Sequence, residues 1–170
     1  MLKAAIVGCG RVADSHASEM LRIKGCEIVG VCDQEPLMAR QLYERYPIGK
    51  CFSELSELLS ATKPDVVHIT TPPQSHFGIA KMCLEWGCHV YVEKPFTVNE
   101  ENARTLIALA NEKGLNITVG HDFQFCPLVS SMIWRIVLGG CTTSFSITRA
   151  AIRPTPFVLR RLWRKANSSR

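Results

Sequence analysis

Gly8-Cys9-Gly10-Arg11-Val12-Ala13 is a G-x-G-x-x-A run that follows an apolar segment at residues 4–7 and opens a segment of helical period. In that setting each small residue has a physical task. Gly8 allows a tight turn, Gly10 lets the backbone approach a pyrophosphate, and Ala13 lets a helix pack closely on a strand. The first-turn amides, from Arg11 and Val12 onward, then face the anion with the positive end of the helix dipole. The alternative is a glycine-rich turn with no ligand, and the flanking strand and helix weigh against it.

Asp33 stands 20 residues beyond Ala13, at the end of the next strand-like run. A carboxylate there can accept from the ribose hydroxyls of an adenosine and would repel a 2′-phosphate. With Gln34 and Glu35 following and no arginine until Arg40, NAD is expected in preference to NADP. Asp33 could instead cap the helix that starts at Pro36, and one residue can do both. Two more polar clusters follow later apolar runs: Thr70-Thr71-Pro72-Pro73-Gln74-Ser75-His76, and Glu93-Lys94-Pro95. Both fall where strands end, the edge at which open α/β sheets bind ligands.

The elements needed to position these groups can be read from period and punctuation. Strands are expected at residues 4–7, 27–32, 65–70, 89–92 and 116–119. The unbroken Val66-Val67-His68-Ile69 suits a strand buried on both faces. Helices alternate with them. The first is expected over 12–24, with Ala13, Ala17, Met20 and Leu21 as its buried stripe and Gly25 at its end. The second runs from Pro36 to Pro47 on Met38, Ala39, Leu42 and Tyr46, and a short third covers 53–59 with Ser53 as N-cap. Ile79, Ala80, Cys83 and Trp86 mark the fourth, and Thr97 to Glu100 has the form of a capping box for a fifth that closes at Gly114. This alternation is the sequence form of an α/β fold, a Rossmann-type doubly wound parallel sheet.

The G-x-G-x-x-A run, the acid after the second strand, T-P-P-x-x-H and E-K-P, in this order, resemble the N-terminal half of the Gfo/Idh/MocA oxidoreductases, the glucose-fructose oxidoreductase and inositol dehydrogenase family. The resemblance covers residues 1 to about 127. It implies a domain that binds NAD(P) and normally precedes a second α/β domain, which forms much of the substrate pocket and usually the subunit interface. By the same resemblance Lys94 is the general acid/base beside the nicotinamide for a sugar- or polyol-like alcohol. Desolvation and the positive nicotinamide ring would both favour its neutral form. Glu93 helps to hold the cofactor ribose, and a cis peptide before Pro95 turns Lys94 into the cleft. Thr71, Pro72 and His76 line the nicotinamide end, with a plain structural role for His76 kept open beside it. His68 and His89 are read as structural. Asp122 and Gln124 depart from the Asn and Arg common in the family's crossover.

Charge divides the chain. Residues 1–122 carry 12 basic and 15 acidic side chains, and residues 123–170 carry eight basic and none acidic, for the net +5. Three segments are expected: a dinucleotide-binding domain at 1–122, a crossover and remnant helix at 123–139, and a basic tail at 140–170. The second α/β domain is then largely missing, and so are the acid and histidine that family members commonly add from it. The tail has the look of a shifted reading frame or alternative C-terminus. Three functions stay open: a sugar or polyol dehydrogenase, an NAD-binding module without turnover, and a nucleic-acid contact through the tail, the last the least favoured. An oligomer is possible, although the usual interface domain is missing.

The eight cysteines include no C-x-x-C pair and no metal-ligand spacing with histidine, so reduced thiols and no metal are expected. A hydrophobic content of 46% excludes a disordered chain. No signal-peptide apolar region or membrane span is evident, which makes a cytoplasmic protein the expectation.

Overall fold

The computed structural model describes residues 1–120. Eleven elements alternate through them: β1 (Leu2–Val7), α1 (Arg11–Met20), β2 (Cys26–Cys32), α2 (Pro36–Arg45), β3 (Cys51–Phe52), α3 (Leu55–Thr62), β4 (Val66–Ile69), α4 (Pro73–Glu85), β5 (His89–Glu93), α5 (Glu100–Lys113) and β6 (Ile117–Gly120). The sheet has the order β3-β2-β1-β4-β5-β6. Its β1–β2, β1–β4, β2–β3 and β4–β5 pairings are all parallel. The chain therefore builds outward from β1 to β3, returns to the other side of β1, and builds outward again to β6. Between β1 and β4 the connections leave in opposite directions, which opens a crevice at the carboxyl edge of the sheet. The Rossmann-type α/β expectation is met.

Burial on both faces explains the composition of the central strands. Ala4, Ala5, Ile6, Val66, Val67, Ile69, Val90 and Val92 are all buried, and the helices add Leu58, Leu59, Ala80, Cys83, Leu84, Leu106 and Ala110 to the core that holds Ala5, Val67, Ile69, Val90 and Val92. Gly25, Gly87 and Gly114, all at positive φ, turn the chain after α1, α4 and α5.

Several boundaries differ from the sequence reading for physical reasons. Helix α1 stops at Met20, and residues 21–25 form turns, so Leu21 leaves the buried stripe and is exposed. Trp86 is the C-cap of α4 and is half exposed, beyond the face that Cys83 and Leu84 bury. Ser53 does not cap α3, whose N-cap is Glu54. The capping box before α5 is replaced by a single cap: Asn99 accepts the Asn102 amide at 2.8 Å, while Thr97 donates to the Asn99 carbonyl. The two-residue edge strand β3 was not expected at all. Expectations for residues 121–170, including the crossover, remnant helix and basic tail, lie outside the described residues.

Candidate functional site

The turn after β1 is shaped by close approach. Gly8 has φ +89, and a Cβ built on it would lie 2.7 Å from Thr71 Cγ2 and 2.8 Å from the Thr71 nitrogen. Only glycine fits both the conformation and the space. Thr70 binds the turn to β4, its amide donating to the Val7 carbonyl at 2.8 Å and its hydroxyl reaching the Val7 and Gly8 carbonyls. The G-x-G turn and the T-T-P-P loop thus meet at the crevice between β1 and β4.

Gly10 is different: a Cβ there would meet nothing within 4 Å. It is the N-cap of α1 and makes no side-chain cap hydrogen bond, so the first-turn amides from Arg11 and Val12 onward have no cap from the N-cap position. Open space above a glycine, beside uncapped helix amides, is what a pyrophosphate requires, and the residues present fit NAD. A cavity of about 270 Å³ opens beside this turn, lined on the α1 side by Gly10, Arg11 and Asp14 and on the α2 side by Met38, Leu42 and Arg45. Ala13 is fully buried, as close packing of α1 on the sheet demands.

Asp33 follows β2 directly and is tied down by two backbone amides. Its Oδ2 accepts from Cys9 at 2.6 Å and its Oδ1 from Glu35 at 2.9 Å. Each oxygen keeps a further lone pair for a ribose hydroxyl. The neighbouring thiols are suppressed as nucleophiles: burial, then the Asp33 carboxylate, push Cys9 up to about 12 and Cys32 up to about 11.

At the end of β5 the Lys94–Pro95 peptide is cis. Lys94 is exposed, and its amide donates to Glu93 Oε2 at 3.3 Å. Burial pushes the Glu93 carboxyl up, but the hydrogen bond and charge of His16, followed by those of Lys94, outweigh it and hold the group below its ordinary value. His76 is fully buried, with Nδ1 2.9 Å from the Pro95 carbonyl and Nε2 2.8 Å from the Thr71 carbonyl. Carbonyls only accept, so a protonated ring nitrogen of His76 donates to the loop carbonyl it faces. His76 straps the T-T-P-P loop to the E-K-P turn. Thr71 is half-buried and Pro72 exposed at the start of α4.

Sequence reasoning missed His16. It lies one turn beyond Ala13 on α1, and its Nε2 meets Glu93 Oε1 at 3.2 Å while its Nδ1 meets His68 Nδ1 at 2.9 Å. The signal was its place three residues after Ala13, which puts it on the sheet-facing side of α1. His89 is structural in placement, its Nδ1 accepting the Asn116 amide at 3.0 Å.

A family model described as an oxidoreductase family with an NAD-binding Rossmann fold, GFO_IDH_MocA, matches residues 2–121. The chain belongs to this family. Within Gfo/Idh/MocA it is 39% identical over 153 residues to D-glucoside 3-dehydrogenase of Escherichia coli, covering 89% of this chain and 44% of the relative. It is 30% identical over 128 residues to UDP-N-acetylglucosamine 3-dehydrogenase of Acidithiobacillus ferrooxidans, covering 75% of this chain and 39% of the relative. The fold matches GenD2 from gentamicin A biosynthesis, solved in complex with NAD, with a TM-score of 0.71 at 28% identity over 74% of this chain and 36% of that one. It also matches WlbA of Chromobacterium violaceum, solved with NADH and UDP-GlcNAcA, with a TM-score of 0.74 at 26% identity over 81% of this chain and 40% of that one. The chain spans less than half the length of these relatives. Its first 120 residues carry the family's NAD-binding Rossmann fold, and no described helix is long and apolar enough to cross a membrane.

Proposed function

We propose that the chain binds NAD along the carboxyl edge of its sheet and serves hydride transfer between NAD and a sugar- or polyol-like alcohol, with Lys94 as general base. The observation that carries this reading is the convergence of three strand ends on one edge. Gly8 at the end of β1 packs on Thr71 after β4, and His76 joins Thr71 to the Pro95 carbonyl after β5.

In this reading Gly8, Gly10, Arg11, Val12 and Ala13 form the pyrophosphate turn. Asp33 accepts from the adenosine ribose and Glu93 from the nicotinamide ribose. Thr71 and Pro72 wall the nicotinamide end, and His76 holds that wall to the E-K-P turn. Bound NAD supplies the hydride acceptor. Lys94 Nζ takes the proton of the reacting hydroxyl as the carbonyl forms and returns it in the reverse direction. The sugar relatives support the substrate class.

The test is NADH formation across a panel of sugars and polyols, with NAD affinity measured in parallel for the wild type and Lys94→Met. Loss of turnover of at least about a hundredfold with NAD affinity retained supports the assignment. Unchanged turnover in Lys94→Met overturns it. NAD binding without turnover on any substrate would favour the binding-module reading.

A further inference from the structure

The Glu93 carboxylate is held at both oxygens. Oε2 accepts the Lys94 amide at 3.3 Å and Oε1 accepts from His16 Nε2 at 3.2 Å, with both the His16 and Glu93 side chains 13% exposed. Because a carboxylate only accepts, His16 Nε2 carries a proton. The opposite nitrogen, Nδ1, lies 2.9 Å from His68 Nδ1, with one proton shared between the two rings. His68 is buried and stacks on Tyr91 at 4.7 Å between centroids and 8° between planes. His16 stands edge-on to both rings, at 5.2 Å from His68 and 5.1 Å from Tyr91. The imidazole is thereby fixed in plane and in depth, and its remaining donor points at Glu93.

Helix α1 does not need this contact to stay on the sheet, since Ala13, Ala17 and Met20 already bury its inner face. The hydrogen bond to Glu93 adds to that packing a fixed direction for the carboxylate. A glutamate side chain freezes out of several rotamers when it binds a ligand, an entropic cost incurred in full if it starts free. A carboxylate already aimed avoids most of that cost.

We propose that His16 is a positioning residue for the nicotinamide half of the site: it aims the Glu93 carboxylate before the dinucleotide arrives. This rests on the reading that Glu93 holds the ribose next to the nicotinamide. Its effect is confined to that half, because the pyrophosphate turn and Asp33 have their own hydrogen bonds.

The experiment titrates the full chain with NAD and separately with ADP, which occupies only the adenosine half. His16→Ala is expected to weaken NAD about tenfold and to leave ADP unchanged. His16→Gln can place an amide donor where Nε2 stands and is expected to recover most of the loss. His16→Asn reaches only the Nδ1 position, toward His68, and is expected to behave like alanine. In a Glu93→Ala background, His16→Ala should cost nothing further.

Unchanged NAD affinity in His16→Ala, equal losses for NAD and ADP, or additive losses with Glu93→Ala would each overturn the proposal. Should His16→Ala fail to fold, the Gln and Asn variants carry the same decision. A wild-type chain that binds ADP and NAD equally, with Glu93→Ala unchanged, overturns the reading of Glu93 and the role of His16 with it. If Glu93→Ala weakens NAD and the His16 variants do not, the role of His16 alone fails.

Discussion

The Asp33 carboxylate accepts the amide of Cys9 at 2.6 Å, across the gap between the end of β2 and the glycine turn after β1. The acid is thus part of the turn that faces the pyrophosphate, and its second oxygen is steadied by the Glu35 amide. A carboxylate fixed in this way presents its remaining lone pairs in a set direction. Asp33→Ala is expected to weaken NAD by about ten- to a hundredfold, the worth of hydrogen bonds to a charged acceptor. It is also expected to narrow the preference for NAD over NADP, because a negative charge no longer opposes the 2′-phosphate. Parallel titrations with both dinucleotides check this, and an unchanged ratio would count against the placement of the adenosine ribose.

Gly8 and Gly10 separate folding from binding. At Gly8 a Cβ would sit 2.7 Å from Thr71 Cγ2 and 2.9 Å from the Thr70 carbonyl carbon, at φ +89. Gly8→Ala is expected to destabilise the domain by about 2 kcal/mol or more, read from denaturant unfolding. At Gly10 a Cβ would meet nothing within 4 Å among the described residues beyond its chain neighbours. Gly10→Val is expected to lower the unfolding midpoint far less than Gly8→Ala does, by no more than the loss of a favourable N-cap residue, while abolishing NAD binding. Equal effects of the two substitutions on stability would contradict this division.

Acid is expected to loosen the domain in two ranges. Burial, followed by the charge of His16, holds the His68 imidazole well below its ordinary value of 6.5. The folded chain keeps it neutral while the unfolded chain takes up a proton below that value, so the stability present above it declines as pH falls. Glu93 is held below its ordinary 4.5. Its contribution is present above that value and is lost as pH falls through the folded one. Between about pH 8 and pH 5, His68→Phe should lose stability less steeply than the wild type, whereas Glu93→Gln should run parallel to and below the wild type there, the gap closing only as pH falls through the folded Glu93 value. Parallel curves for wild type and His68→Phe would contradict the assignment.

The thiols should sort by burial. Cys51 is exposed, whereas Cys9, Cys32, Cys83 and Cys88 are buried. Burial dominates the upward shift in each of those four, taking Cys88 up to about 11. Alkylation at neutral pH followed by peptide mass mapping is expected to mark Cys51 before those four, which react only on unfolding. Modification of Cys9 as fast as Cys51 would show that the turn opens far more than its packing implies.

Much of this site was legible in the sequence because its chemistry sits where strands end. Gly8, Gly10 and Ala13 announce a turn and a close helix, Asp33 closes the second strand, and Glu93-Lys94-Pro95 closes the fifth. His16 was legible only as an imidazole on the sheet-facing side of α1, and nothing in the sequence marks its partner 77 residues away. His76 was visible as a candidate, but its double bridge between two loop carbonyls depends on how those loops meet. Leu21 and Trp86 match the helical period and still face solvent, since each stands just past the end of its helix. The edge strand β3 is two residues long, too short for any period.

Direct titration of the 170-residue chain with NAD, followed by calorimetry or intrinsic fluorescence, tests the placement of the cofactor most directly. Saturable binding at one site per chain, displaced by ADP and lost in Gly10→Val with the fold intact, is the expected result. A folded chain that shows no saturable binding of NAD or NADH, or a Gly10→Val variant that binds as the wild type does, would contradict it.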